Sequence, residues 1–405
     1  EEARRLCPRT LMVTRHASRL AVLMLAYDEL SLALALRARA FQSGGPILGW
    51  PSAAKTVLSA SSSATTSRGE NTGADLKPSP FLAAPDDEPT SLIDIGANLL
   101  DPMFLGEYHG KQRHESDLSL VLERAAQQGV ETVIVTAGSL EESTEAQRFL
   151  AKNASNSSPV RLVTTVGVHP TRCLEFTQGG PDGESAGEAV AARVAAHVAA
   201  LRSLAVAGSA GGGVVALGEL GLDLDRLGFC PAEEQRRGFQ AQLAIAEETG
   251  LPLFLHCRNA GPEMAAFLGE NRARFKDGVV HSFDGSLADL TAFLALDLFI
   301  GLNGCSLRTE ENLEVARAVP LERLMLETDA PWCEIRPTHA SFEGVKTTLP
   351  VAKDPKKFRW GEGVKGRCEP WMMLQVLEAV SHAKGLDEAT VARHAHFNAR
   401  RVFGL

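Results

Sequence analysis

Val214-Val215-Ala216-Leu217-Gly218-Glu219-Leu220-Gly221-Leu222-Asp223 is an apolar run that ends in a glycine-flanked glutamate. A short apolar run rich in β-branched residues reads as a buried strand. The same grammar recurs on both sides of it. Upstream, runs at 92–95, 132–136 and 161–166 precede it, and the first and third end in Asp94-Ile95-Gly96-Ala97-Asn98 and Gly167-Val168-His169-Pro170. Downstream, runs at 252–255, 278–280, 298–301 and 324–326 end in His256-Cys257-Arg258, His281-Ser282-Phe283, Gly301-Leu302-Asn303-Gly304 and Glu327-Thr328-Asp329-Ala330-Pro331. Amphipathic stretches such as 117–128, 232–249 and 310–318 lie between them. Strands alternating with helices imply βαβ units and a parallel sheet. Eight runs predict closure into a (β/α)8 TIM barrel, with a doubly wound open sheet as the alternative.

A barrel gathers the C-terminal ends of its strands on one face, where active sites sit. The polar residues just named are far apart in the chain, and closure would bring them together. Glu219 and Asp329 offer carboxylate oxygens, and His256 and His281 offer imidazole nitrogens. That mixed set suits Mg, Mn or Zn. A carboxylate bridging two cations about 4 Å apart is the arrangement of two-metal phosphoesterases, in which an activated water attacks in line. The pattern therefore predicts a metal-dependent hydrolase. Each residue also has a structural reading. A histidine at a strand end can simply be satisfied there, and Glu219 can serve a salt bridge. Asp329 can cap the next helix. Arg258, on the same face as His256, can bind phosphate or pair with a local carboxylate. His16, His382, His394 and His396 read as surface or helix residues. The glycines beside Glu219 read as room made for a ligand.

The chain has 405 residues, a net charge of −9 and ordinary globular composition. Residues 1–90 carry 10 Lys/Arg and 9 Asp/Glu, and the remainder 31 and 41. An acidic body acting on a polyanion needs local compensation, which divalent cations supply. No uncharged apolar run approaches the roughly 18 residues of a membrane span, so no membrane partner is expected. The 7 cysteines are scattered without a CxxC pair, which argues for free thiols in a reducing compartment. Residues 1–90, with a Ser/Thr-rich run at 59–67, read as a low-complexity extension ahead of a barrel domain at 91–405. The extension is either an organelle-targeting segment or a dispensable linker. An intracellular location, nuclear or cytoplasmic, is the expectation. The Gly/Ala-rich 178–213 and the segment 341–366 read as loops or short helices over the active face.

The strand-end motifs, taken in order from about residue 92 to 405, resemble the TatD family of metal-dependent DNases. Asp101-Pro102-Met103-Phe104, Tyr108-His109-Gly110-Lys111-Gln112 and Phe229-Cys230-Pro231 are similar to its eukaryotic branch. The resemblance implies a TIM barrel that hydrolyses DNA phosphodiesters as a 3′→5′ exonuclease with two divalent ions, Mg or Mn ahead of Zn. It implies that Glu219 bridges both metals, that His256 and His281 complete one site, and that Asp329 belongs to the other and orients the attacking water. His169, Arg258 and Asn303 become candidates for substrate contact, and Asp223 an orienting partner of the ligands. The histidine pair found on strand one of many members is replaced by Gly96 and Asn98. The first metal site is then water-rich, with Asn98 offering a carbonyl oxygen and Asp94 close by. DNA ends or single strands are the expected substrate; protein partners and oligomeric state are not legible. The competing readings are a barrel metallohydrolase of another ester or amide, and a non-catalytic adaptor in DNA repair or apoptosis.

Overall fold

The computed structural model describes residues 84–155, 158–178, 186–359 and 361–405. Most of the expected extension, its serine-rich run and His16 lie outside the described residues. Eight strands form one parallel sheet: β1 (Leu92–Ala97), β2 (Val130–Val135), β3 (Arg161–Val166), β4 (Val214–Asp223), β5 (Leu253–Arg258), β6 (Gly278–Val280), β7 (Phe299–Leu302) and β8 (Leu324–Leu326). Each overlaps one predicted run. A doubly wound sheet reverses its strand order at a switch point. Here every strand neighbours its predecessor, and the last returns to the first. Ala97 bridges Ala330, the Asn98 N–H donates to the Ala330 carbonyl at 2.6 Å, and the Asp329 N–H donates to Gly96 at 2.8 Å.

Side chains reinforce this seam. Asp94 accepts the Thr328 N–H at 2.9 Å and its hydroxyl at 2.5 Å. Burial pushes the Asp94 carboxyl up to about 8. Asp94, expected close to the metals, is thus spent on closing the barrel.

A helix follows every strand: α1 (Leu118–Gln127), α2 (Leu140–Ser155), α3 (Ala186–Ala210), α4 (Ala232–Thr249), α5 (Gly261–Glu270), α6 (Leu287–Ala295), α7 (Glu310–Ala318) and α8 (Met373–Lys384). A ninth, α9 (Glu388–Phe403), ends the chain. Local sequence sets several boundaries. Ser286 with Asp289, and Thr309 with Asn312, form capping boxes for α6 and α7, each satisfying two otherwise orphaned N–H groups. Ile93, Ile95, Ile134, Val163, Phe254, Val279, Phe299 and Met325 fill the barrel, and Val402 and Phe403 of α9 join that cluster. A second apolar layer lies between the sheet and the helices.

One expectation changes. The stretch 178–213 holds a 25-residue helix, α3, rather than loops or short helices. Alanine has the highest helix propensity but leaves no strong apolar period to read. Within α3, Ala189–Ala210 is long and apolar enough to cross a membrane by length and composition, with mean hydropathy 1.4. Its polar residues are tied to neighbours: Arg193 to the Thr177 carbonyl at 3.2 Å, His197 to Glu175 at 2.8 Å and Arg202 to Glu248 at 2.6 Å. It packs on α2 and α4 as part of the outer ring. The segment 341–366 does hold short elements, including a two-residue parallel ladder of Val351–Ala352 with Gly363–Val364. Just beyond it, the fully buried Arg367 donates to both oxygens of Asp117, at 2.7 and 2.6 Å, and to Glu369 at 2.8 Å. Glu369 also accepts from Arg124 at 2.9 Å. This network ties the segment to the start of α1.

Candidate active site

The strand ends converge as closure requires. Glu219 on β4, His256 on β5 and His281 just after β6 each place one donor atom within 4.8 Å of the others. Glu219 Oε1 lies 2.8 Å from His256 Nδ1 and 2.8 Å from His281 Nε2. The glycines flanking Glu219 have a different purpose from the expected one. A Cβ on Gly218 would stand 2.3 Å from the Phe254 carbonyl oxygen, and one on Gly221 would stand 2.0 Å from that of His256. At φ +151° and +146°, they let the backbones of β4 and β5 approach closely. They make room for the neighbouring strand rather than for a ligand.

Each of the two histidines has a carboxylate behind it. Asp223 Oδ2 lies 3.2 Å from His256 Nε2, leaving Nδ1 toward Glu219. Glu327 Oε2 lies 3.3 Å from His281 Nδ1, leaving Nε2 toward Glu219. This carboxylate–imidazole pairing fixes the tautomer and raises the basicity of a metal-ligating histidine. Glu327 is fully buried and also accepts the Ser282 N–H. A Cβ on Gly96 would come within 2.6 Å of Glu327 Oε2, so the bare backbone at Gly96 leaves space for that carboxylate. The site is electrostatically coupled. Burial opposes ionisation of Glu219, but the charge on His281 and the hydrogen bonds from His256 and His281 outweigh it and hold the carboxyl well below its usual range. Burial likewise opposes charge on His281, yet Glu219 and Glu327 hold that imidazole well above its usual value. Two nitrogens and a carboxylate, each backed and aimed inward, fit a divalent cation.

His169, at the end of β3, faces the same centre in a different role. Its Nδ1 accepts the Thr171 N–H at 3.1 Å, so the neutral ring carries its proton on Nε2. Nε2 lies 3.2 Å from His256 Nδ1 and 3.4 Å from Glu219 Oε1. Burial, then the neighbouring His256, pull its pKa down to about 3. A neutral ring with Nε2–H toward the centre is a hydrogen-bond donor, although His169, Asp223 and His256 are also close enough to form a ligand set.

The remaining candidates are placed as follows. Asp329 and Asn98 line the same cleft, but Asp329 joins neither ligand set. Asn98 donates to Asp329 Oδ1 at 3.0 Å, and its carbonyl oxygen accepts the Thr136 hydroxyl at 2.6 Å. That oxygen, expected to serve a metal, is engaged instead. Burial, together with Glu327 and Glu219, pushes the Asp329 carboxyl up to about 6. Asn303 is fully buried: its amide nitrogen donates to Ser282 Oγ at 2.8 Å, and its oxygen accepts the Cys305 N–H at 2.9 Å. It shapes the turn after β7 and does not reach the cleft, which corrects its expected substrate contact. Arg258 lines the cleft but pairs with Asp225 at 3.1 Å. His396, read as a surface or helix residue, lies on α9 and is buried between Glu88 and Glu131 at 2.7 Å each.

The cleft over these residues is about 760 Å³, large enough for a nucleotide-sized ligand. Arg172, Arg226, Arg258, Arg308 and Arg336 line it, with the half-exposed Trp332. Sequence reasoning missed Glu327, Arg308 and Trp332. The usable signal for Glu327 was its place directly after the last strand, Leu324–Leu326, at the end where the other site residues gather.

The profile described as TatD related DNase matches residues 93–404. The Deoxyribonuclease Tat-D of Schizosaccharomyces pombe is 43% identical over 297 residues, covering 73% of this chain and 89% of that protein. The 3′-5′ ssDNA/RNA exonuclease TatD of a Rahnella species is 32% identical, covering 78% of this chain and 98% of its own. Among solved structures, a TatD-family hydrolase from Entamoeba histolytica superposes with a TM-score of 0.69 at 33% identity, covering 77% of this chain and 98% of that one.

Proposed function

The chain belongs to the TatD related DNase family, and from that premise we propose that it is a metal-dependent deoxyribonuclease that removes nucleotides from single-stranded DNA ends in the 3′→5′ direction. The observation that carries this reading is the pair of carboxylate-backed histidines, His256 and His281, that meet at Glu219 on the barrel's C-terminal face. The names of the S. pombe and Rahnella relatives support the substrate and the polarity.

Glu219, His256 and His281 would hold a divalent ion, and Glu219 with Asp329, which lines the same cleft, would hold a second. The first set, with two imidazoles, suits Mn or Zn. The second has few protein donors and suits a hard ion that keeps its waters, Mg or Mn. Bound there, divalent ions supply Lewis-acid charge for the phosphoryl oxygens and lower the pKa of the attacking water. The chain's own groups do the rest. Asp329, on the cleft wall beside Glu219, would orient that water and be placed to take its proton. The Nε2–H of His169 donates to a non-bridging phosphate oxygen. Arg258 neutralises phosphate at the rim after exchanging its exposed partner Asp225. Such an exposed pair contributes only about 0–1 kcal/mol, so the exchange costs little.

The test is digestion of end-labelled single-stranded DNA with Mg, with Mn and with chelator, beside Glu219→Gln. Metal-dependent shortening that the variant lacks is expected. Shortening by Glu219→Gln at the wild-type rate overturns the assignment of Glu219. A metal-loaded protein that leaves DNA intact points to another ester or amide. A protein that purifies without divalent metal and cleaves nothing points to a non-catalytic role.

A further inference from the structure

The cleft wall carries five arginines, and their partners separate them. Arg172 pairs with Glu142 at 3.1 Å, Arg226 with Asp223 at 3.6 Å, Arg258 with Asp225 at 3.1 Å and Arg336 with Glu334 at 3.2 Å. Arg308 alone pairs with no carboxylate within 4 Å among the described residues. Its guanidinium lies 3.4 Å from the Cys305 thiol, and Cys305 in turn faces the thiol of Cys333. Cys333 directly follows Trp332, so the uncompensated cation and the indole belong to one wall of the cleft. Trp332 is 51% exposed, unusual for a large ring on a folded surface. It is held, though, by its N–H donating to the Asp329 carbonyl at 2.9 Å. The backbone of Cys333 beside it is left-handed, φ 53°.

We infer that Arg308 and Trp332 form a nucleotide subsite beside Asp329, in which Arg308 takes a phosphate and Trp332 stacks on the terminal base. The inference rests on the nuclease reading above and deepens it. An unpaired guanidinium is available to a phosphate without first releasing an acid. A tryptophan anchored at its backbone presents a flat face at low entropic cost, and any base can stack on it. In a duplex the terminal base is paired and stacked, and it must be freed before it reaches the ring. The subsite therefore selects unpaired ends by contact with the base face, without reading sequence.

The test compares two single-stranded oligonucleotides, one normal and one carrying an abasic residue at the end that is attacked. Rates are measured for wild type, Trp332→Ala, Trp332→Phe and Arg308→Ala. Wild type should show a KM about tenfold lower for the normal end, the scale of one base–aromatic stack. Trp332→Ala should raise KM for the normal end about tenfold, hold kcat and erase the discrimination, while Trp332→Phe restores most of it. Arg308→Ala should raise KM for both ends equally and lower the salt dependence of log KM by about one unit. Discrimination that persists in Trp332→Ala overturns the stacking role. A salt slope unchanged in Arg308→Ala overturns the phosphate role. If wild type leaves both oligonucleotides intact under every metal, the nuclease reading itself fails and the subsite with it.

Discussion

Glu327→Gln isolates what a backing carboxylate contributes to the metal centre. In the wild type, Glu327 is fully buried, 3.3 Å from His281 Nδ1, and accepts the Ser282 N–H. Glutamine keeps the volume and can still accept from Ser282. What is lost is a full negative charge against an imidazole that is itself 3% exposed. Removing such a partner typically weakens metal affinity about 10–100-fold, or about 1.4–2.7 kcal/mol. The sign of the pH dependence follows from the same contact. Burial opposes charge on His281, but Glu219 and Glu327 hold its pKa well above the usual value. A metal must displace that proton, so wild-type affinity falls as pH drops below the raised pKa. In Glu327→Gln that pKa falls and less proton has to be displaced. The variant's deficit should then be greatest at alkaline pH and narrow on acidification. Competition titration of Mn against a fluorescent chelator at several pH values reads this out, with a thermal melt to verify the fold. A deficit that widens toward acid pH, or an unchanged affinity in a folded variant, refutes the pairing.

Three further outcomes are expected. Gly96→Ala places a Cβ 2.6 Å from Glu327 Oε2 and 3.0 Å from the Phe254 ring, so denaturant unfolding should report a loss of about 1–3 kcal/mol, together with weaker Mn binding. Arg367→Met leaves the buried Asp117 and Glu369 with Arg124 as their one remaining shared cation, at a cost of up to about 3–5 kcal/mol by chemical denaturation. Burial opposes ionisation of Asp117, but Arg367 and Arg124 hold its pKa below the usual value. That contribution is present above about pH 3.9, the unfolded pKa, and is lost as pH falls through the folded value. Arg367→Met should shrink that acid-side loss, and an unchanged acid limb counts against the contact. Finally, a chain starting at Ala84 should keep the full-length turnover. One starting at Pro89 should keep turnover but melt earlier, because it strands the Nδ1 of His396 that meets Glu88 at 2.7 Å. Equal melting of the two would show that this contact contributes nothing.

The barrel was legible because one rule turns chain order into position. Once eight runs alternate with helices, their C-terminal ends must share a face, and Glu219, His256 and His281 meet there though the first and last are 62 residues apart. What the sequence hid was partnership. Asn303 and Asn98 are amides at strand ends, and nothing in their spacing reveals that one is consumed by its own turn and the other by Thr136 and Asp329. Helix α3 was hidden differently, by small residues that form a helix without marking a face.

The arginines give the sharpest case. Arg258 stood out because it follows His256 by two residues, and Arg308 did not because it follows no motif. Yet Asp225, 33 residues upstream, answers Arg258, while no carboxylate in the described cleft answers Arg308. A cation's readiness for a phosphate depends on whether an acid already holds it, and pairing across loops is a property of the folded cleft. Polar residues at strand ends therefore locate a barrel's site from sequence, but which of them face substrate is decided by which are left over once the scaffold's own hydrogen bonds are made. By that accounting Glu327 and Asp223 belong to the histidines, Asn303 to its turn, and Arg308 with Trp332 to the ligand.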